Sequence, residues 1–157
     1  MNNRWDNFFL NIALVCANMS KDPATQVGAV IVGPDREIRS TGFNGFPRGM
    51  HDTFDRLEDR DVKLKLIVHA EMNAVLAAAR IGVSVKGCTL YLAATDNSGL
   101  IWGGPPCTRC TVEIAQAGIA AIVSRPKKNV PSRWHEDLAL AEQLIKEMGI
   151  TYREVPL

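Results

Sequence analysis

Two short segments carry the residues best suited to chemistry: His69-Ala70-Glu71, and Pro106-Cys107-Thr108-Arg109-Cys110. One imidazole and two thiolates suit zinc, which favours nitrogen and sulfur ligands and usually takes four of them. Neither segment offers a fourth protein ligand, so one position is left for water, and a metal-bound water is acidified. Cys107 and Cys110 are three apart, so at the first turn of a helix both can face one ion, and the positive helix end favours thiolate. Glu71 sits two residues after His69, an offset that lets its carboxylate approach such a water without ligating and move protons. Taken singly, the C-x-x-C pair also fits a structural zinc half-site or a redox pair, and His-Ala-Glu is a weak signal.

Elements must bring these segments together. The apolar positions Trp5, Phe8, Phe9, Ile12, Val15, Cys16 and Met19 predict an amphipathic helix over 4–19, broken at Ser20-Lys21-Asp22-Pro23. Residues 27–32 form an apolar run suited to a buried strand, Gly33-Pro34-Asp35-Arg36 a turn, and 38–43 the returning strand. A glycine-rich loop, Gly42 to Gly49, follows, and 51–65 is charged and ambiguous, a loop with a short helix. Propensity predicts a helix over 70–80 ended by Gly82, a strand over 89–93, a Gly/Pro-rich loop over 94–106 and a helix over 108–117 capped by Gly118. A strand at 120–123, a helix at 135–148 and an edge strand at 151–155 complete the chain. Strand, helix, strand in that order implies a parallel crossover, and the sum is a three-layer α/β domain with a mixed sheet.

The bulk numbers agree with one such domain over residues 1–157. Hydrophobic residues make up 46% and charged residues 22% of the 157, as in globular proteins. A net charge of +1 gives no global drive toward nucleic acid or membrane, although a local phosphate site remains open. The segment Met1-Asn2-Asn3-Arg4-Trp5-Asp6 lacks the apolar core of a signal peptide, and no apolar run approaches the roughly 20 residues of a membrane helix. A cytoplasmic setting is expected, where thiols stay reduced. Cys16 and Cys88 are expected as packed thiols, His135 as a surface residue, Arg125-Pro126-Lys127-Lys128 as a solvated loop, and Trp134 as a packing residue of the last helix or an interface.

Together, in this order, the two segments resemble the H-x-E … P-C-x-x-C signature of zinc nucleobase deaminases. From about residue 4 to 124 the chain resembles the cytidine deaminase superfamily, and within it the deoxycytidylate (dCMP) deaminases. The resemblance rests further on Ser20-Lys21-Asp22-Pro23, Gln26-Val27-Gly28-Ala29-Val30, Gly42-Phe43-Asn44-Gly45-Phe46-Pro47-Arg48-Gly49 and His69-Ala70-Glu71-Met72-Asn73-Ala74. It implies a three-layer α-β-α cytidine-deaminase-like fold with a central mixed five-stranded sheet. It implies Zn²⁺ held by His69, Cys107 and Cys110, with Glu71 as proton shuttle. Asn44 matches the residue that hydrogen-bonds the sugar, and the backbone at Ala70 would read the pyrimidine edge. Val27, Ser20, Lys21, Thr25 and Trp102 are further substrate-binding candidates.

Gly42, Asn44, Gly45 and Arg48 are candidates for an effector site, since the family includes members activated by dCTP and inhibited by dTTP, with Mg²⁺ accompanying the triphosphate. A homo-oligomer, hexamer or dimer, is implied as well. The implied reaction is dCMP and water to dUMP and ammonia, for thymidylate supply, with no nucleic-acid or membrane partner.

One departure stands out. Thirteen residues, Ala94 to Pro106, separate the strand from Cys107, where dCMP deaminases pass almost directly to Pro-Cys. Trp102 in this loop can stack on a base, line the pocket or make a subunit contact. The loop leaves open another free base, nucleoside or nucleotide, such as a modified cytosine or a purine. A nucleic-acid-editing deaminase would want a basic face that this composition lacks. A zinc-stabilised non-enzymatic module would have no use for Glu71.

Overall fold

The computed structural model describes residues 3–157; Met1 and Asn2 of the N-terminal segment lie outside the described residues. Helix α1 (Arg4–Ala17) leads into β1 (Thr25–Val32) and β2 (Ile38–Phe43), then two short helices, α2 (Phe54–Glu58) and α3 (Arg60–Leu66). Next come α4 (Ala70–Ile81), β3 (Thr89–Asp96), β4 (Ile101–Trp102), α5 (Thr108–Gln116) and β5 (Ala121–Ser124). A 3-10 turn at Ser132–Trp134 precedes α6 (His135–Glu147) and β6 (Thr151–Glu154). The main sheet runs β2-β1-β3-β5-β6, antiparallel among the first three and parallel among the last three. It is the expected mixed five-stranded sheet, with β4 added as a short sixth strand on β3.

Strand β1 is apolar on both sides because both faces are covered. Ala29 and Ile31 point to a core shared with Ala70, Ala74 and Ala78 of α4, Ile114 of α5 and Ile145 of α6. Val30 and Val32 point the other way, to Phe9, Leu10 and Ala13 of α1. The three layers are therefore α1, the sheet, and α4–α6.

Two glycines set the spacing. A Cβ on Gly28 would overlap backbone at Ala13 and Ala17, and one on Gly42 would overlap backbone at Ala70 and Ala74. This close approach corrects the expected face of α1. Phe9, Leu10, Ala13 and Ala17 are buried, whereas Trp5, Phe8, Val15 and Met19 are exposed. Only small side chains fit where the helix lies on Gly28, so Ala13 and Ala17 face the sheet there and this sets which of the larger apolar residues turn outward. Cys16 is only half-buried beside that core, while Cys88 is fully buried as expected.

Two further expectations are revised. The 94–106 segment is not all loop: β3 continues to Asp96, and Ala94 and Thr95 pair with Trp102 and Ile101. The turn is tied by Asp96, whose Oδ1 accepts from the backbone N–H groups of Ser98 and Leu100 at 2.9 and 3.0 Å. Arg125 is not in a solvated loop but is 6% exposed. Its guanidinium donates to Asn7 Oδ1 at 2.6 Å, Pro156 O at 3.0 Å and Val155 O at 3.2 Å. No helix among the described residues is long and apolar enough to cross a membrane.

Candidate functional site

The two chemistry-bearing segments occupy equivalent places on two helices. His69 is the extended residue just before α4, with φ −68° and ψ 156°, and Cys107 is the extended residue just before α5, with φ −61° and ψ 161°. Glu71 and Cys110 follow within the first turns. Both helix starts are tied to neighbouring elements. Asn73 Nδ2 donates to Phe43 O at 2.7 Å and Val68 O at 3.3 Å, tying α4 to the end of β2. Asp137 on α6 accepts from Thr108 N at 2.9 Å, and its carbonyl accepts from Thr108 Oγ1 at 2.8 Å. An N–H group with no partner inside α5 is satisfied in this way.

The tertiary fold brings the three donors together. His69 Nδ1 lies 3.6 Å from Cys107 Sγ and 3.3 Å from Cys110 Sγ, and all three ligand atoms fall within 4.8 Å of one another. Tetrahedral zinc, with Zn–S of about 2.3 Å and Zn–N of about 2.0–2.1 Å, separates its nitrogen and sulfur ligands by about 3.5 Å. The donor set therefore fits zinc in both chemistry and spacing. It is the one His/Cys/Asp/Glu group of metal-holding geometry among the described residues. Hydrogen bonds within the group skew its acidities. The Cys107 thiol is drawn down to about 4, first by Cys110 and then, against burial, by His69. The His69 imidazole is raised to about 9, chiefly by its hydrogen bond to Cys107. Cys110 is pushed up by its bond to Cys107 and by burial.

Glu71 is 4% exposed. Burial first, and then the Cys107 charge, raises its carboxyl to about 7. A buried carboxyl of that acidity is suited to exchanging protons near neutrality. His69, Ala70, Glu71 and Cys107 line the buried end of a cavity of about 200 Å³. Cys110 stands behind them.

Of the other sequence candidates, Asn44, Thr25, Val27 and Trp102 line the same cavity. Asn44 Oδ1 accepts from Val27 N at 2.8 Å and Nδ2 donates to Thr25 O at 2.9 Å. The amide so clamps β1 to β2 and keeps one N–H to spare. The Trp102 indole N–H is buried without a well-formed hydrogen bond, although it lies close enough to help hold the Asp96 carboxyl down.

Ser20, Lys21, Gly42, Gly45 and Arg48 do not line the cavity. Ser20 Oγ donates to Asn44 O at 2.8 Å, bracing that residue from behind. Lys21 pairs with Asp52 at 2.9 Å in solvent. Gly42 is packed on α4, and Gly45 bridges Val68. Arg48 is exposed on the loop.

The structure adds wall residues that sequence reading passed over. Asp22 and Lys63 form a buried ion pair at 3.1 Å. Arg60, Lys63, Leu64 and Ile67 line the cavity together, as do Ser124 and Arg133; Trp134, expected as a packing or interface residue, lines it as well. Arg60, Lys63 and Leu64 fall at i, i+3 and i+4, a one-face helical signal that was present within the ambiguous 51–65 segment, and Ile67 at i+7 lies just beyond it. Gly103–Pro106 form a roof. It is held by Gly104 N donating to Arg125 O at 2.9 Å and by Asn129 Nδ2 donating to Ile101 O at 3.2 Å.

The model of the cytidine and deoxycytidylate deaminase zinc-binding region matches residues 3–125. A deaminase from the luxG 3′ region of Aliivibrio fischeri is 33% identical, with 100% of this chain and 97% of the relative covered. The deoxycytidylate deaminase of Homo sapiens is 34% identical over 96% of this chain and 79% of its own length. The dCMP deaminase of cyanophage S-TIM5, solved in complex with dCMP and dUMP, superposes with a TM-score of 0.74. It is 21% identical and is covered at 99% on both sides, a likeness of fold.

Proposed function

Because this chain belongs to the cytidine and deoxycytidylate deaminase zinc-binding family, we propose that it is a zinc-dependent hydrolase converting dCMP and water to dUMP and ammonia. The observation that carries this reading is the convergence of His69, Cys107 and Cys110 within 4.8 Å, beside a buried carboxyl at the end of one cavity. Deoxycytidylate deaminases from mouse and human, each 34% identical, support dCMP as the substrate.

His69, Cys107 and Cys110 would hold the zinc, which when bound supplies Lewis acidity that makes water a nucleophile at neutral pH. Glu71 does the proton work. Its carboxylate takes a proton from the water that adds to C4 of the pyrimidine and gives it to N3. It then takes the remaining hydroxyl proton and delivers it to the departing amine. Atoms balance: the C4–N bond breaks, a C4–O bond forms, and ammonia leaves. The Ala70 N–H, in the first turn of α4 and without a helical partner, reads the pyrimidine edge. The spare N–H of Asn44 meets the sugar, Thr25 and Val27 complete that wall, and Trp102 covers the ring.

Regulation by dCTP and dTTP with Mg²⁺ belongs to the same proposal. It is supported by the exposed Arg48 on the loop after Gly45, the residue free to meet phosphates there; the packed Gly42 would act only through backbone position. Assembly as a homo-oligomer is supported by apolar side chains exposed on helices, such as Phe8 and Val15 on α1 and Leu76 and Ile81 on α4.

The test is incubation of zinc-loaded protein with dCMP, with and without dCTP and Mg²⁺, measuring dUMP and ammonia. Stoichiometric dUMP and ammonia are expected. Turnover of a different free base or nucleotide but not of dCMP would keep the chemistry and pass specificity to the Trp102 hairpin.

A further inference from the structure

Two exposed arginines line the cavity with no carboxylate paired to them among the described residues. Arg60 on α3 and Arg133 in the 3-10 turn both line it and both reach solvent. Neither forms an ion pair or a side-chain hydrogen bond among the described residues. The neighbouring cation, Lys63, is different. It is held at 3.1 Å by Asp22, with side chains only 14% and 6% exposed. The remaining lining carboxyl, Glu71, lies at the buried end. The cavity is therefore polarised. Its buried and half-buried lining includes His69, Cys107 and Glu71 beside apolar residues such as Val27 and Leu92, and its exposed lining includes the Arg60 and Arg133 guanidinium groups. Like charges from distant parts of the chain facing one concavity raise its positive potential and favour an anion there. A guanidinium fork matches phosphate oxygens two at a time.

We propose that Arg60 and Arg133 are the residues that select the phosphorylated substrate, gripping the phosphate of the nucleotide whose base reaches Glu71. This rests on the deaminase reading and deepens it. It also moves phosphate recognition away from Lys21, which Asp52 already neutralises outside the cavity.

The experiment compares kcat/KM for dCMP and deoxycytidine in zinc-loaded wild type, Arg60→Ala, Arg133→Ala and the double variant. Each single change is expected to lower kcat/KM on dCMP about 10–100-fold, chiefly through KM. The loss on deoxycytidine is expected to be at least tenfold smaller. Equal losses on both substrates, or no loss on dCMP, would overturn the assignment. Arg60→Lys and Arg133→Lys keep the charge, remove the fork and should lose less, so they decide the matter if an alanine variant folds poorly. Failure of the deaminase reading itself is distinguishable. If wild type turns over neither substrate, titration of dUMP and deoxyuridine against the fluorescence of Trp102 and Trp134 still tests the subsite. Tighter dUMP binding that the double variant loses supports it, and equal binding of the two by wild type rejects it.

Discussion

Glu71 shows how position changes what a residue does. A glutamate in the first turn of a helix ordinarily serves the helix dipole in solvent. Here the turn is buried against the sheet, and burial raises the carboxyl to about 7. Removing its ability to ionise while keeping its shape isolates proton transfer from metal binding. Glu71→Gln is expected to lower kcat by about 10²–10⁴-fold. Zinc measured per protein chain should stay unchanged, because the carboxylate is outside the donor set. Loss of zinc along with activity would instead make Glu71 a ligand. Asn44 carries two duties at once. Its amide closes the gap between β1 and β2, so the wall it presents to the cavity is as rigid as the sheet.

At the scale of elements, the site is a meeting of two helix starts. His69 and Cys107 each stand one residue before a helix, where the chain turns out of extended backbone. Each start is anchored to a neighbouring element: α4 by its own Asn73 reaching the end of β2, α5 by Asp137 of α6. The Asp137 anchor joins two helices of one layer that lie 29 residues apart in sequence, and it holds the helix start that carries both thiols. Asp137→Ala removes an acceptor from a helix N-terminus and is expected to cost about 1 kcal/mol. Because the thiols then lose their support, zinc affinity should fall about tenfold, as read by competition with a chromophoric chelator. Stability loss with unchanged zinc affinity would show that α5 is positioned by its core contacts alone. The β3–β4 hairpin is the second element that matters. Asp96 ties its turn, and pairing of Trp102 with Ala94 sets the indole over the cavity.

Across the whole molecule, Arg125 links what the site needs held still. Its side chain joins α1 to the last residues of the chain, and its carbonyl accepts Gly104 N under the roof of the cavity. Among the described residues the guanidinium has no carboxylate partner and meets its needs with neutral oxygens, so it is bound to one conformation of its surroundings. Arg125→Ala leaves several of those oxygens without their donor and is expected to destabilise by about 2–3 kcal/mol in urea unfolding. Its effect on KM should exceed that of a distant substitution of equal stability cost, because the roof is released as well. Equal effects would separate the C-terminal clasp from the cavity.

Read from the chain alone, the residue types that converge at the site and the order of layers were legible because each depends on short-range facts, whereas the proton role proposed for Glu71 came from the family signature it matches. Ligand chemistry is written in residue type, pairing of thiols in a three-residue spacing, and layers in the alternation of apolar runs. His69 and Cys107 lie 38 residues apart, yet each could be placed because each precedes a helix signal. What only tertiary structure decided depends on distances between elements. The face of α1 followed from how closely Gly28 lets it approach. Burial of Arg125 followed from the chain end folding over it. The hairpin at 94–106 followed from side-chain ties within its turn. Arg60 and Arg133 came to line one cavity only when α3 and the 3-10 turn packed around it. Local chemistry needs only the sequence; convergence needs the packed layers that bring remote residues within reach of a single ligand.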